Sequence, residues 1–155
     1  MELNIRINFD MDGTIADLYG VDRWQEKLDS GDASPYTEAK VLHNMSLLAR
    51  YLHKAQNLGI QVNIISWMAK DCSATYAERI IEAKEAWLRK HLPSVTFDNI
   101  YIIPFDTPKS EYVDTFANNI LFDDNERVME EWIAAGRGYA YPPALLFLAL
   151  QEALR

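Results

Sequence analysis

Ile5-Arg6-Ile7-Asn8-Phe9-Asp10-Met11-Asp12-Gly13-Thr14 decides the reading of this chain. An extended, largely apolar run ends abruptly in two carboxylates spaced one residue apart. The run predicts a strand, and α/β sheets place their chemistry at the carboxyl ends of their strands. Gly13 and Thr14 suit a turn in which the backbone leaves the strand sharply, because glycine accepts positive φ without steric cost.

Three further pieces follow in a fixed order. Ser66 closes the run Gln61 to Ile65, Lys109 follows Pro108, and Asp123-Asp124 closes Asn119 to Phe122. Short β-branched or aromatic runs alternate with helical patterns along the chain, which predicts a parallel sheet with the four pieces converging on one edge. Strands are expected near 4–9, 61–66, 99–103, 119–122 and 138–141. Helices are expected near 46–58, 73–91, 110–117 and 125–135. Gly59 marks a helix end behind the apolar series Leu48, Leu52 and Ala55, and Ser73 is placed to cap the next helix, which stops before Pro93. After Pro142-Pro143, the run Ala144 to Leu150 reads as a C-terminal helix packed on the sheet, being too short to span a bilayer.

The chemistry these residues can support follows from charge. An ordinary aspartate is ionised at neutral pH, so Asp10 can attack phosphorus without a helper base. A phosphate monoester is itself an anion, so positive charge must sit in the site. Lys109 alone is outnumbered by Asp10, Asp12, Asp123 and Asp124, and four carboxylates brought together without a further cation would force some to protonate. A hard divalent ion removes the conflict, and Mg2+ prefers oxygen ligands with substrate phosphate in its shell.

The order Asp-x-Asp-Gly-Thr, then Ser, then Lys, then Asp-Asp resembles the haloacid dehalogenase superfamily of phosphatases and phosphotransferases, across essentially the whole chain. The resemblance implies a Rossmann-like α/β fold, a parallel sheet with helices on both faces. It also implies that Asp10 is the nucleophile forming an aspartyl-phosphate and that Asp12 is the general acid and then the general base. Ser66, with backbone amides near Met11 and Asp12, would hold phosphoryl oxygens, and Lys109 would neutralise charge developing on them. Asp10, the carbonyl of Asp12, and Asp123 would hold Mg2+, with Asp124 acting directly or through water. Two positions depart from the common pattern. Trp67 follows Ser66 directly, where it would narrow the phosphate-binding site or form a stacking wall, and Phe122 precedes the acidic pair and is expected to pack under the metal site.

Members of the superfamily often insert a cap domain between the first two motifs. Here about thirty residues, 16–45, remain once a sheet-packing helix is allowed for. That predicts a single domain over 1–155 with a minimal cap: a flap carrying Tyr19, Trp24 and Tyr36 over an open site, covered further only by a second copy in a homo-oligomer. The acidic pair, aromatic flap and short chain look like small 5'-nucleotidase-type members. The expected substrate is therefore a small phosphorylated molecule, with a nucleotide or deoxynucleotide monophosphate preferred over a sugar phosphate or a macromolecular phosphoester. Trp67, Trp24 and Tyr19 could stack on the base, since aromatic faces tolerate any base, although such residues more often pack a flap against the sheet. Lys70 reads as a loop lysine near the site.

Composition agrees with one enzyme domain: 155 residues, 49% hydrophobic, net charge -8. Such an acidic chain is not expected to grip nucleic-acid backbones, which need clustered Lys and Arg. The single cysteine, Cys72, has no histidine partner and excludes an internal disulfide, which suits a reducing cytoplasm. No targeting segment precedes the first strand and no membrane association is expected. His43, His53 and His91 fall on predicted helices at spacings unlike a zinc site. Two other classes compete. A phosphoacceptor signalling domain uses similar residues in a different chain order, with its acidic pair first, whereas here Asp123-Asp124 comes last. A non-catalytic binding or assembly protein on the same fold is disfavoured by four intact motifs.

Overall fold

The computed structural model describes residues 4–114 and 118–155. The chain opens with β1 (Ile5–Phe9), then makes the short segments β2 (Ala16–Asp17), α1 (Trp24–Asp29), α2 (Ser34–Glu38) and β3 (Lys40–Val41). The regular part follows: α3 (Met45–Asn57), β4 (Gln61–Trp67), α4 (Ala74–His91), β5 (Asn99–Ile103), β6 (Asn118–Phe122), α5 (Glu126–Ala134), β7 (Gly138–Tyr141) and α6 (Leu146–Ala153). Five strands form one parallel sheet in the order β5-β4-β1-β6-β7, while β2 and β3 pair antiparallel as a separate ribbon. From β5 the chain crosses to β6 on the other side of β1. The strand order therefore reverses beside β1, and such a reversal opens a crevice at the carboxyl ends of the strands.

Alternation along the strands distributes the core. Ile7 and Phe9, with Val62, Ile64, Ile120 and Phe122, bury against α3, α6 and the C-terminal part of α4. Phe122 is fully buried and stacks on Phe9 with ring centroids 5.2 Å apart, directly beneath the strand ends that carry Asp10 and Asp123. On the other face Ile65, Ile103 and Leu121 pack under Val128 and Trp132 of α5. The register also sets Asn8, Asn63 and Asn99 in one row across β1, β4 and β5, where Asn99 donates to Asn63 and Asn63 to Asn8. The row ends in the backbone, because the Asn8 amide donates to the Ile120 carbonyl at 3.1 Å. A chain of paired amides satisfies polar groups that would each be costly to bury alone.

Local signals fix the helix ends. Asn44 accepts from the Leu47 N–H at the start of α3, Ser73 from Tyr76 at the start of α4, and Asn125 from Val128 at the start of α5. Each such cap contributes about 1 kcal/mol. Gly59, at φ +81°, closes α3 as its sequence position predicts.

Two expectations are corrected. The helix expected over 110–117 is a single 3-10 turn, Lys109–Tyr112, after which Val113 is extended. Arg137 Nε takes the Ser110 carbonyl at 2.9 Å, the acceptor that an α-helix would offer to residue 114. The Ser110 hydroxyl is tied instead to Glu131, and residues 115–117 lie outside the described residues. His43 also lies outside a helix. It precedes the Asn44 cap, and its Nε2 lies 2.7 Å from the Thr14 carbonyl, bracing the turn that follows Asp12.

Between β1 and α3 the chain builds two short helices and the two-stranded ribbon; Ile15, Ala16 and Ala39 join the core under the sheet, and the helical part packs on α4. Leu18 and Tyr36 bury against Tyr76, Ile80 and Ala83. Three contacts pin this segment to α4: Tyr76 Oη donates to the Asp32 carbonyl, Trp87 Nε1 donates to the Ala39 carbonyl, and Lys84 Nζ lies over the Tyr36 ring. Among the described residues no helix is long and apolar enough to cross a membrane.

Candidate active site

The turn after β1 is built around one carbonyl. Met11 O accepts from the N–H groups of Thr14, Ile15 and Ala16 at 2.9 to 3.1 Å, and Gly13 N–H donates back to Ala16 O. Gly13 sits at φ +80°, where a Cβ would also overlap the Asp124 carboxylate and come within 2.8 Å of the Tyr19 ring. Glycine is required there twice, for its backbone angle and for the close approach of Asp124.

Asp10 leaves β1 still paired to β6, its N–H donating to the Phe122 carbonyl at 2.9 Å. Its side chain is buried and held at both oxygens. Lys109 Nζ donates to Oδ1 at 2.9 Å and the Thr14 hydroxyl donates to Oδ2 at 2.9 Å. The same Lys109 ammonium donates to Asp123 Oδ2 at 2.6 Å, so one buried lysine bridges the ends of β1 and β6. Asp123 Oδ1 accepts the Asn125 N–H. Asp10, Asp123 and the exposed Asp124 each offer a carboxylate oxygen within 4.8 Å of the others.

Electrostatics mark this cluster as short of positive charge. Burial, and then the Asp10 carboxylate, push Asp123 above the usual carboxylate range against the opposing pull of Lys109. Partial burial at the rim and the Asp10 charge push Asp124 up in the same way. Burial disfavours the charged Lys109, but Asp10 and Asp123 outweigh it and hold the ammonium above its ordinary value. One ammonium among three carboxylates leaves net negative charge in a poorly solvated place, which an oxygen-seeking dication would neutralise. The donor set, all carboxylate oxygen with no sulfur or imidazole, fits Mg2+.

The Asp12 side chain turns away from that cluster. Its Oδ2 accepts from Lys84 Nζ at 2.8 Å, and its carboxylate is not among the three clustered ones. Burial pushes the Asp12 carboxyl up, Lys84 pulls it down, and the Asp10 charge adds to the rise.

These groups form the floor of a cavity of about 260 Å³. Asp10, Asp12, Lys109 and Asp123 line its base, with the exposed Asp124 at its rim. Tyr19, Trp24, Leu28 and Tyr36 also line the cavity, as do Trp67, Met68 and Phe105; Met68 packs in one cluster with Trp24, Leu28 and Tyr36. Trp67 is fixed there by an Nε1–H bond to the Thr107 carbonyl at 2.8 Å and by the Phe105 ring at 5.1 Å. Lys70 lies at the cavity wall, while Cys72 is turned to the Ala69 carbonyl.

The structure thus brings Asp10, Asp12, Trp67, Lys109, Asp123 and Asp124 around one cavity. Met11 supplies its carbonyl to the turn and buries its side chain in the core. Ser66 is placed differently from expectation. It is fully buried outside the cavity lining, on the same side of β4 as Val62 and Ile64, and its Oγ accepts from Lys84 at 2.7 Å. Lys84 escaped the reading of the sequence. Its signal was a lysine inside the apolar stripe Tyr76, Ile80, Ala83, Trp87 and Leu88 of α4, all buried with it. Lysine is almost never fully buried without a partner.

No protein-family model and no curated protein matches the chain. Among solved structures it is similar to the crystal structure of D,D-heptose 1,7-bisphosphate phosphatase from Burkholderia thailandensis. The TM-score is 0.51 at 12% identity, covering 84% of this chain and 73% of that one. At that identity the likeness is one of fold. The chain has an α/β, Rossmann-like fold of the haloacid dehalogenase type, with five parallel strands between helices.

Proposed function

We propose that this protein is a Mg2+-dependent phosphatase of the haloacid dehalogenase superfamily, hydrolysing a phosphate monoester through an aspartyl-phosphate on Asp10. The observation that carries the reading is Lys109, buried at the cavity floor and bridging Asp10 and Asp123, with Asp124 beside them. A strand-end turn with capping carboxylates would need no buried lysine. A site for an anionic ester needs one.

In this reading Asp10 attacks phosphorus, forming an oxygen–phosphorus bond while the bond to the leaving oxygen breaks. Asp12 gives that oxygen its proton. In the second step Asp12 takes a proton from water, whose oxygen displaces Asp10 from phosphorus. Lys109 offsets charge on the phosphoryl oxygens and holds Asp10 in place, with Thr14 as its second anchor. Asp10, the Asp12 carbonyl, Asp123 and Asp124 would hold Mg2+. Bound there, the ion supplies charge neutralisation between two anions.

We propose a nucleoside monophosphate as substrate and the segment 16–45 as a minimal cap. Aromatic rings in the lining, Tyr19, Trp24, Tyr36, Trp67 and Phe105, support a planar leaving group, since ring faces bind bases with little regard to identity. A sugar phosphate is the second reading. Gln25, Asp29 and Lys70 offer polar contacts at the cavity, and the structural neighbour is named for a sugar bisphosphate. Phosphate release from a panel of nucleotides, sugar phosphates and an aryl phosphate, with and without Mg2+, tests the reading. Turnover that requires Mg2+ supports it and ranks the substrates. Turnover indifferent to chelation contradicts it.

A further inference from the structure

Lys84 has no part in the scheme above, yet it is buried as fully as Asp123. Its side chain is 1% exposed against 17% for Asp12. Its ammonium donates to Asp12 Oδ2 at 2.8 Å, Ser66 Oγ at 2.7 Å and the Trp67 carbonyl at 2.8 Å. An ammonium has three protons, and here all three are committed to protein acceptors. The Tyr36 ring, which lines the cavity, covers Nζ at 4.8 Å. Lys84 is therefore unsuited to bind a phosphoryl group directly. No proton is left to offer, and it does not line the cavity.

A purely stabilising role explains this arrangement poorly. Burying an ammonium costs several kcal/mol even after relaxation, and apolar replacement of a buried ion pair is often neutral or stabilising. What the lysine provides is geometry. It reaches from α4 to the end of β4 and to the turn after β1, and fixes one oxygen of the carboxylate there.

We infer that Lys84 is a positioning residue for Asp12: it clamps Oδ2, leaving Oδ1 for proton transfer to the leaving oxygen, and Ser66 and the Trp67 carbonyl hold the clamp. The inference rests on the role proposed for Asp12 and goes further by assigning what aims it. Ser66, on this account, serves Lys84.

The test uses the dependence on leaving group, which misfolding or loose packing would not move selectively. Proton donation matters for a poor alkoxide leaving group and little for nitrophenolate. The comparison is kcat/KM for the alkyl phosphate that the wild type turns over best against para-nitrophenyl phosphate, with Mg2+ present. Lys84→Met is expected to lower the first about a hundredfold, within the usual range for general acid catalysis, and the second less than about fivefold. Equal losses on both substrates, or no loss on either, overturn the inference.

Lys84→Met leaves Asp12 without its cation and is open to misfolding, so a second pair closes the test. Asp12→Asn and Asp12→Asn/Lys84→Met are compared on para-nitrophenyl phosphate. Rates within about threefold of one another are expected, because coupled residues are not additive. A further tenfold loss on removing Lys84 once the carboxylate is gone overturns the inference. A wild type that turns over neither substrate overturns the phosphatase reading itself and this inference with it, an outcome distinct from a working enzyme whose Lys84 variants lose both activities alike.

Discussion

The ammonium of Lys109 stands 2.9 Å from Oδ1 of Asp10 and 2.6 Å from Oδ2 of Asp123, joining the two central strand ends through one buried charge. Deleting that charge leaves two buried carboxylates facing each other. Lys109→Met is expected to abolish measurable turnover. It should also cost the metal-free protein about 3 kcal/mol, the usual size when one partner of a buried pair is removed. Urea unfolding measures the second effect, and Mg2+ should recover part of it.

Stability of the metal-free protein should fall as pH rises through neutrality. Asp123 is pushed up to about 7 and Asp124 to about 8, both above an unfolded carboxylate near ~3.9. Between those values the folded state binds more protons than the unfolded one, so raising the pH favours unfolding. Thermal melting from about pH 5 to about pH 9 should show a declining midpoint without Mg2+. Added Mg2+ should raise the midpoint most at the alkaline end, where the carboxylates are ionised and free to bind it. A midpoint that rises with pH in the absence of metal would run against this sign.

Asp123→Asn keeps the shape of a floor residue and removes its charge. Mg2+ affinity, read by titration calorimetry, is expected to fall by more than the roughly 10–100-fold typical of losing an outer-shell partner. Asp124→Asn, at the exposed rim, should cost less. The reverse ranking would move the main ligand role to Asp124.

Gly13→Ala places a methyl group against Asp124 and Tyr19 at a backbone angle of +80°. The expected cost is about 1–3 kcal/mol in stability, with a fall in Mg2+ affinity as Asp124 is displaced. Gly31→Ala is the control. It shares the positive φ, but a Cβ there meets nothing within 4 Å, so it should leave Mg2+ affinity unchanged.

The strands were legible because each central strand is buried on both faces and written as an apolar run with a polar end. Gln61 to Trp67 and Asn118 to Phe122 differ from expectation by a single residue at one end. The start of α4 was legible for the same local reason, Ser73 capping it as expected, and Asn44 and Asn125 cap α3 and α5 in the same way. What the sequence could not give was set by distant partners. Arg137, far along the chain, takes the Ser110 carbonyl, and Val113 is already extended. Lys84, eighteen residues from Ser66 and seventy-two from Asp12, becomes a site residue only when α4 docks over β4. Ser66 read as a group facing the substrate because the resemblance to the haloacid dehalogenase superfamily implies it. Alternation along β4 instead turns it toward α4.

The central claim is that Asp10 carries the phosphoryl group, and chemical trapping tests it most directly. Protein mixed with substrate and Mg2+ is quenched in acid, reduced with borohydride, digested and mapped by mass spectrometry. An acyl phosphate at Asp10 is predicted to appear as homoserine at that position, to require both Mg2+ and substrate, and to vanish in Asp10→Asn along with turnover. Turnover with no modification at Asp10, or turnover that survives Asp10→Asn, would contradict the account.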